Sequence, residues 1–399
     1  AADPPLPSTC FWGRPNDPTV VNVAYPDEAA TYWAGRPFLP PGAELTLRGR
    51  FPHARYMSFN AYNAQAQPID ALADVQIAPD EGSTNPFPAG ADRTATDRSY
   101  TLRVVRGPAP DAASRPANTL YIDAPLILYR VYVPDDGRDL SGDGGLPSVT
   151  MRQADGTTRD LTAACAPDQA TTPAGSQLRA VPVHEALRDN ALPGTVAAVA
   201  TDPVHWEKFF NMQHTQAAVA TNGTPARAVV DEYLADSGGG YLSNTDNSYA
   251  LALANRAHGP VLVLRGRAPT TPRTRAAPDV MPAGDLRYWS LCTNERNTTR
   301  YIDCTIDEDV PVAADGWYTL VVSAPQDRPM NATTECGVGW LAWGTAPETL
   351  LILRHMLPDP DFPHAIQRVD RPADLIGVVD VYLPVGSHGT KEEFEARGC

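Results

Sequence analysis

Gly42-Ala-Glu-Leu-Thr-Leu-Arg-Gly-Arg50 comes back without a gap as Gly259-Pro-Val-Leu-Val-Leu-Arg-Gly-Arg267. A tyrosine stands at the same spacing ahead of each copy, Tyr32 and Tyr249. Further along, Arg55-Tyr-Met-Ser-Phe59 answers Arg287-Tyr-Trp-Ser-Leu291, and Ile69-Asp70 answers Ile302-Asp303. Tyr100-Thr-Leu102 pairs with Tyr318-Thr-Leu320, and Leu126 to Asp135 with Leu350 to Asp359. Blocks recurring in one order mark an internal duplication. They are short, β-branched or aromatic, and fenced by Pro, Gly and Asp, as antiparallel strands of a sandwich or barrel are. The expected fold is mainly β, with one sandwich over residues 1–158 and a second over 239–399. Between them, Pro203 to Gln216 and Pro225 to Ala235 favour helix, each opened by a proline. Residues 159–238 are therefore expected to be a connector with two helices, and Gly238-Gly239-Gly240 to close it.

The bulk numbers exclude more than they assign. The chain has 399 residues, 43% of them hydrophobic and 20% charged, which is enough apolar material for real cores. A net charge of −15 argues against nucleic acid or an anionic membrane surface, both of which need a basic footprint. No apolar run is long enough to span a bilayer. Lys208 and Lys391 are the only lysines among 32 cationic residues, the codon bias of a GC-rich genome. Ala1-Ala2-Asp3-Pro4-Pro5 reads as a mature end left by a signal peptide, so a secreted protein is expected. Six cysteines without a C-x-x-C pair fit disulfides in an oxidising compartment. Cys292 and Cys304 flank a short polar segment and can staple a hairpin, while Cys10 and Cys399 lie near the two ends, where a bridge would pin them. Six cysteines allow fifteen pairings, which leaves Cys165 and Cys336 unassigned.

The repeated blocks resemble the paired jelly-roll-like domains of a bacterial family known as a domain of unknown function. Asn244-Thr-Asp246-Asn-Ser-Tyr249 followed by Gly259-Pro-Val-Leu262 is similar to that family's Asn-x-Asp-x-x-Tyr and Gly-Pro-Val-Val-Leu features. Tyr32, Leu47-Arg48, Met57-Ser-Phe59 and Tyr62-Asn63 resemble its other domain, as do Asn118-Thr-Leu120 and Tyr129 to Pro134. The likeness covers roughly two thirds of the chain. It departs where Asp27 precedes Tyr32 by five residues rather than three, and in the cysteine-bearing loops. It implies two duplicated jelly-roll-like β-sandwiches joined by a helical connector, and carries no activity with it.

Chemistry-bearing residues fall in five groups. On the expected connector helix, Glu207, Asn211 and His214 share one face while His205 sits elsewhere, so a Glu–His acid/base pair competes with a solvated amphipathic face. Asn244, Asp246 and Tyr249 are the most motif-like cluster. Asp246 with Asp231 or Glu232 would supply two carboxylates for glycosidic or ester hydrolysis, with Asn244 and Tyr249 positioning substrate. The plainer reading is an Asx turn and a core-edge tyrosine. Asp135, Asp136, Asp139 and Asp143 crowd a Gly-rich loop whose oxygen density suits a structural calcium, although Thr150 stands where an EF-hand needs Glu. Of seven tryptophans, Trp340 and Trp343 in a Gly-rich stretch are the expected sugar platforms, while Trp289 and Trp317 occupy strand blocks and are expected in the core. The paired arginines Arg48/Arg265, Arg55/Arg287 and Arg130/Arg354 read as a fold constraint or, less simply, a carboxylate clamp. The expected function is an exported hydrolase or other carbohydrate- or polymer-active catalyst acting on an extracellular small molecule or glycan, its site between the sandwiches and the connector. The alternative is a non-catalytic extracellular binding or surface protein. Beyond the possible calcium, no cofactor is implied: no P-loop, dinucleotide fingerprint or Gly-x-Ser-x-Gly elbow occurs.

Overall fold

A computed structural model describes residues 10–18, 22–162, 200–211, 242–296 and 298–399. The chain divides into two units. The first comprises Ala1–Val20, Ala30–Ser176 and Arg273–Pro282; the second comprises Val21–Ala29, Gln177–Pro272 and Ala283–Cys399. Both are mainly β.

In the first unit, β1 (Ala30–Gly35), β7 (Ile127–Pro134), β3 (Ala54–Tyr62) and β4 (Pro68–Ala73) form a sheet in that order. A second sheet runs β6 (Thr119–Ile122), β5 (Ser99–Arg106), β2 (Glu44–Arg50), β8 (Ser148–Arg152) and β9 (Thr158–Asp160). Strand side chains alternate between faces. That alternation sends Leu45, Leu47, Leu102, Met57, Phe59, Tyr129 and Val131 into one core between the sheets. The segment Arg273–Pro282 adds Met281 to it, pairing through a bridge from Asp92 to Val280.

The second unit has a similar strand order, with β10 (Trp206–Phe209) added at one sheet edge and no counterpart of β9 in the other sheet. Its sheets run β10, β11 (Asn247–Asn255), β17 (Glu348–Pro358), β13 (Leu286–Asn294), β14 (Tyr301–Ile306), and β16 (Val338–Ala342), β15 (Trp317–Ser323), β12 (Val261–Arg267), β18 (Val385–Gly389). In both units the pair at the sheet edge, β5–β6 and β15–β16, is parallel. Leu262, Leu264, Trp289, Leu291, Leu320, Leu351 and Leu353 build the second core.

The repeated Leu-Arg-Gly-Arg has a packing cause. Gly49 lies opposite Tyr100, and Gly266 opposite Tyr318, and each tyrosine ring occupies the space a Cβ would need. At Gly266 the added carbon would meet the Tyr318 hydroxyl at 2.9 Å. Gly49→Val should therefore push Tyr100 out of the core and destabilise the fold by about 1–3 kcal/mol. Denaturant unfolding checks it, and an unchanged midpoint would contradict the account.

Two expectations need correction, and a third falls outside the described residues. The stretch expected as helix from Pro203 is a strand, β10, over Trp206–Phe209. Pairing with β11 and burial of Trp206, whose indole N–H donates to the Pro384 carbonyl at 2.7 Å, outweigh the local helical preference. The second expected helix, Pro225 to Ala235, and most of the connector lie outside the described residues. Cys399 bonds to Cys336, not Cys10. Phe394, on the short helix Lys391–Glu395, packs with Val261, Val321 and Ala332 and carries the chain end to that partner. Cys292–Cys304 forms as expected, and Cys10 is also disulfide-bonded. Among the described residues no helix is long and apolar enough to cross a membrane.

Candidate functional site

On β17, Leu351 and Leu353 face the core and Arg354 the opposite side of the sheet. Its register places Tyr249 of β11 on one flank and Ser290 of β13 on the other. The first unit sets Tyr32, Arg130 and Ser58 in the same row. Arg354 is buried; it donates to the Tyr25 carbonyl at 2.7 Å and to Cys292 Sγ at 2.9 Å. Its Nε lies 3.7 Å from Asp27 Oδ2. Asp27, 1% exposed, accepts the Tyr288 and Ser290 hydroxyls, both at 2.7 Å. In the first unit, Arg130 donates to the Tyr62 hydroxyl and lies over the Tyr32 ring at 5.5 Å. The repeated aspartates behave alike: Asp70 accepts the Tyr121 N–H and Asp303 the Ala342 N–H, each tying a sheet edge. Apart from the half-buried Asp303, these polar residues are buried and hold strands and segments together, in line with the fold-constraint reading for Arg130 and Arg354; Arg48 and Arg265 are exposed.

The expected catalytic groups do not gather with them. The Asn244 side chain accepts the Asp246 N–H at 3.2 Å, and the Asn244 N–H donates to the Tyr249 hydroxyl at 3.2 Å, an Asx turn at the start of β11. Asp246 is half-buried beside it. Glu207, on β10, lies 3.5 Å from His205 Nε2, both partly exposed. His214, Asp231 and Glu232 lie outside the described residues. A second His–carboxylate pair, His388 Nδ1 to Asp202 at 3.1 Å, is oriented like an acid/base dyad. Its imidazole has no exposed surface and packs near His258 and Trp343, so no substrate meets it.

The acidic loop spends its carboxylates on the protein. Asp135 is buried in an ion pair with Arg93 at 2.7 Å, and Asp143 pairs with Arg138 at 2.7 Å. Asp139 accepts the Ser141 and Asp143 N–H groups, while Asp136 is exposed. Among the described residues, the only cluster with metal-ligand geometry is Asp27 with Cys292 and Cys304, whose sulfurs are bonded to each other. Chelator treatment is accordingly expected to leave the melting temperature unchanged. Asp135→Asn should lower stability by about 3 kcal/mol, since it leaves Arg93 buried without its counter-charge. A drop in melting temperature with chelator would restore the calcium reading.

The tryptophans change places. Trp343, expected on the surface, is fully buried, because β16 and the turn after it carry it into the second core. Trp340 is half-buried, its N–H on Ser323 Oγ at 3.0 Å and Arg328 4.6 Å from its ring. Trp289 is core as expected. Trp317 is not: it lines a groove of about 450 Å³ on the outer face of the β16–β15–β12–β18 sheet. Val263, Thr319, Val385, Ser387, Arg265 and Arg397 line it with Trp317. Arg265 lies 5.2 Å from the Trp317 ring.

The duplication shows what is special about this face. Where β2, β5 and β8 carry Glu44, Thr46, Ser99, Arg103 and Ser148, the matching positions of β12, β15 and β18 carry Val261, Val263, Trp317, Val321 and Val385. Glu44 there holds Arg103 and Arg152 in ion pairs at 2.7 and 2.9 Å. The second unit replaces that salt-bridged face by an apolar one, and its C-terminal helix covers only part of it. Aligning the two copies position by position would have exposed Trp317; Arg397 lies outside the repeated blocks and carries no such signal.

No family model matches the chain, and no curated protein does. Among solved structures, it is similar to an uncharacterized protein from Burkholderia cenocepacia, with 13% identity and a TM-score of 0.51 over 97% of this chain and 84% of that one. A Vibrio parahaemolyticus protein aligns over 93% of this chain and 92% of its own, at 13% identity and a TM-score of 0.41. At such identity the Burkholderia likeness bears on fold alone.

Proposed function

We propose that this chain is an exported, non-catalytic carbohydrate-binding protein that takes a glycan in the groove beside Trp317. The observation that carries the reading is the contrast between the two copies of one sheet face: salt-bridged in the first unit, apolar, concave and aromatic in the second. An indole beside aliphatic and hydroxyl side chains is the lining that holds a sugar ring, apolar face on the ring and hydroxyls on Ser and Thr. Cysteines joined as Cys292–Cys304 and Cys336–Cys399, with none free among the described residues, favour an oxidising compartment. Membership of the bacterial two-domain jelly-roll-like family belongs to the same proposal. Trp317→Ala should abolish retention on immobilised polysaccharides without changing the melting temperature. Equal retention of the variant and the parent would exclude the groove.

The hydrolase is the second reading, favoured by the His205–Glu207 pair at 3.5 Å at the start of the edge strand β10. Turnover of glycan or aryl-ester substrates that falls a hundredfold in Glu207→Gln would establish it. Turnover unaffected by both Glu207→Gln and Asp246→Asn would remove those carboxylates from any active site.

A further inference from the structure

We infer that the Trp317 groove selects sugars bearing a carboxylate, the uronic-acid class, an inference that rests on the binding-protein reading above. The groove holds two guanidiniums and no acidic side chain. The Arg265 guanidinium lies over the Trp317 ring and that of Arg397 over the Phe394 ring, each at 5.2 Å. Neither guanidinium has an ion-pair or hydrogen-bond partner among the described residues. On a chain of net charge −15 this is a local reversal of sign. On the equivalent face of the first unit, Arg103 and Arg152 are neutralised by Glu44, and Arg48, the counterpart of Arg265, stands exposed without the tryptophan and without a second arginine from a C-terminal helix.

Arginine's planar fork matches a carboxylate through two parallel N–H bonds, which a lysine cannot offer. Arg265 lies against Trp317, its guanidinium carbon 5.2 Å from the ring centre, a contact that limits the side-chain freedom to be lost on binding. Arg397 is placed by a different device. Thr390 and Glu393 form a capping box that starts the C-terminal helix, Phe394 docks on the apolar face, and Cys336–Cys399 fixes the end. One ligand carboxylate is shared between these two cations. Its ring lies against Val263 and Val385, and its hydroxyls reach Thr319 and Ser387. A neutral sugar would meet the same valines and hydroxyls and leave both guanidiniums unused.

Calorimetric titration tests this with α-1,4-linked trigalacturonate as the probe, maltotriose as the neutral control and sodium sulfate as a competing simple anion. Trigalacturonate is expected to bind at least tenfold tighter than maltotriose. Arg265→Ala and Arg397→Ala should each weaken it at least tenfold, and Arg265→Lys should recover only part of the loss. Both arginines are exposed, so unchanged melting temperatures are expected and will show that the variants fold. Equal affinity for the two trisaccharides, or arginine variants within twofold of the parent, would overturn the charge selection and leave the binding reading standing. Displacement of trigalacturonate by millimolar sulfate would overturn the sugar class in favour of a simple anion site. Binding of neither sugar would overturn both.

Discussion

Arg354→Met should lower unfolding stability by about 3–5 kcal/mol, among the largest single-residue effects in the molecule. The substitution keeps the length of the side chain but removes the charge that faces Asp27 at 3.7 Å. Asp27, 1% exposed, keeps the Tyr288 and Ser290 hydroxyls and the Ala29 N–H but loses the guanidinium beside it. The Tyr25 carbonyl and Cys292 Sγ lose a donor at the same time. Because Asp27 and Tyr25 belong to the segment Val21–Ala29, hydrogen exchange in that segment should accelerate more than in the core strands. The double variant Asp27→Leu/Arg354→Met should recover much of the loss, since a buried ion pair contributes little net stability while a widowed charge is costly. A single-variant loss under 1 kcal/mol, measured by urea titration, would mean that the charge finds water and that the cluster is not the clamp described.

Acid should unfold this protein through two histidines. His355 is fully buried on the core side of β17, and burial pushes its pKa down to about 3. Burial, and then the neighbouring Arg98, push His53 down to about 4. In the unfolded chain both titrate near 6.5. Between those values the unfolded state binds more protons, so stability is full above about pH 6.5 and is lost as pH falls toward 3–4. His355 is expected to dominate, at several kcal/mol, because each pKa unit is worth about 1.4 kcal/mol and solvent does not screen the site. His53 is partly exposed and contributes less. His355→Asn keeps an acceptor for the Ile366 N–H, which now bonds Nδ1 at 3.3 Å, and removes the titration. Its stability at pH 7 should fall slightly, while its slope between pH 6.5 and 4 should flatten relative to the parent. Parallel pH profiles would show that other groups govern acid unfolding.

How much was legible can be followed residue by residue. The strand blocks were readable because burial on one face of a sheet imposes period-two alternation on the chain itself, and the duplication doubled that signal. Cys292–Cys304 was readable because a short hairpin brings nearby cysteines together. The Asn244 turn was readable because Asx chemistry is local. Trp206 was not, since a short aromatic stretch fits a helix or an edge strand and only its partner strand decides. Trp317 and Trp343 exchanged expected roles for a related reason: alternation tells which residues share a face, not which faces become covered. Asp27 and Arg354 meet although most of the chain lies between them, and no periodicity encodes that meeting.

By itself, the sequence determined a mainly β chain with two copies of one strand pattern, acidic and disulfide-bonded, without a bilayer-spanning run, because these follow from composition and from local alternation. The tertiary structure alone decided which polar residues are clamps and which face is open. Burial depends on what packs over a side chain, and that is a property of strand pairing across the fold rather than of neighbours in the chain.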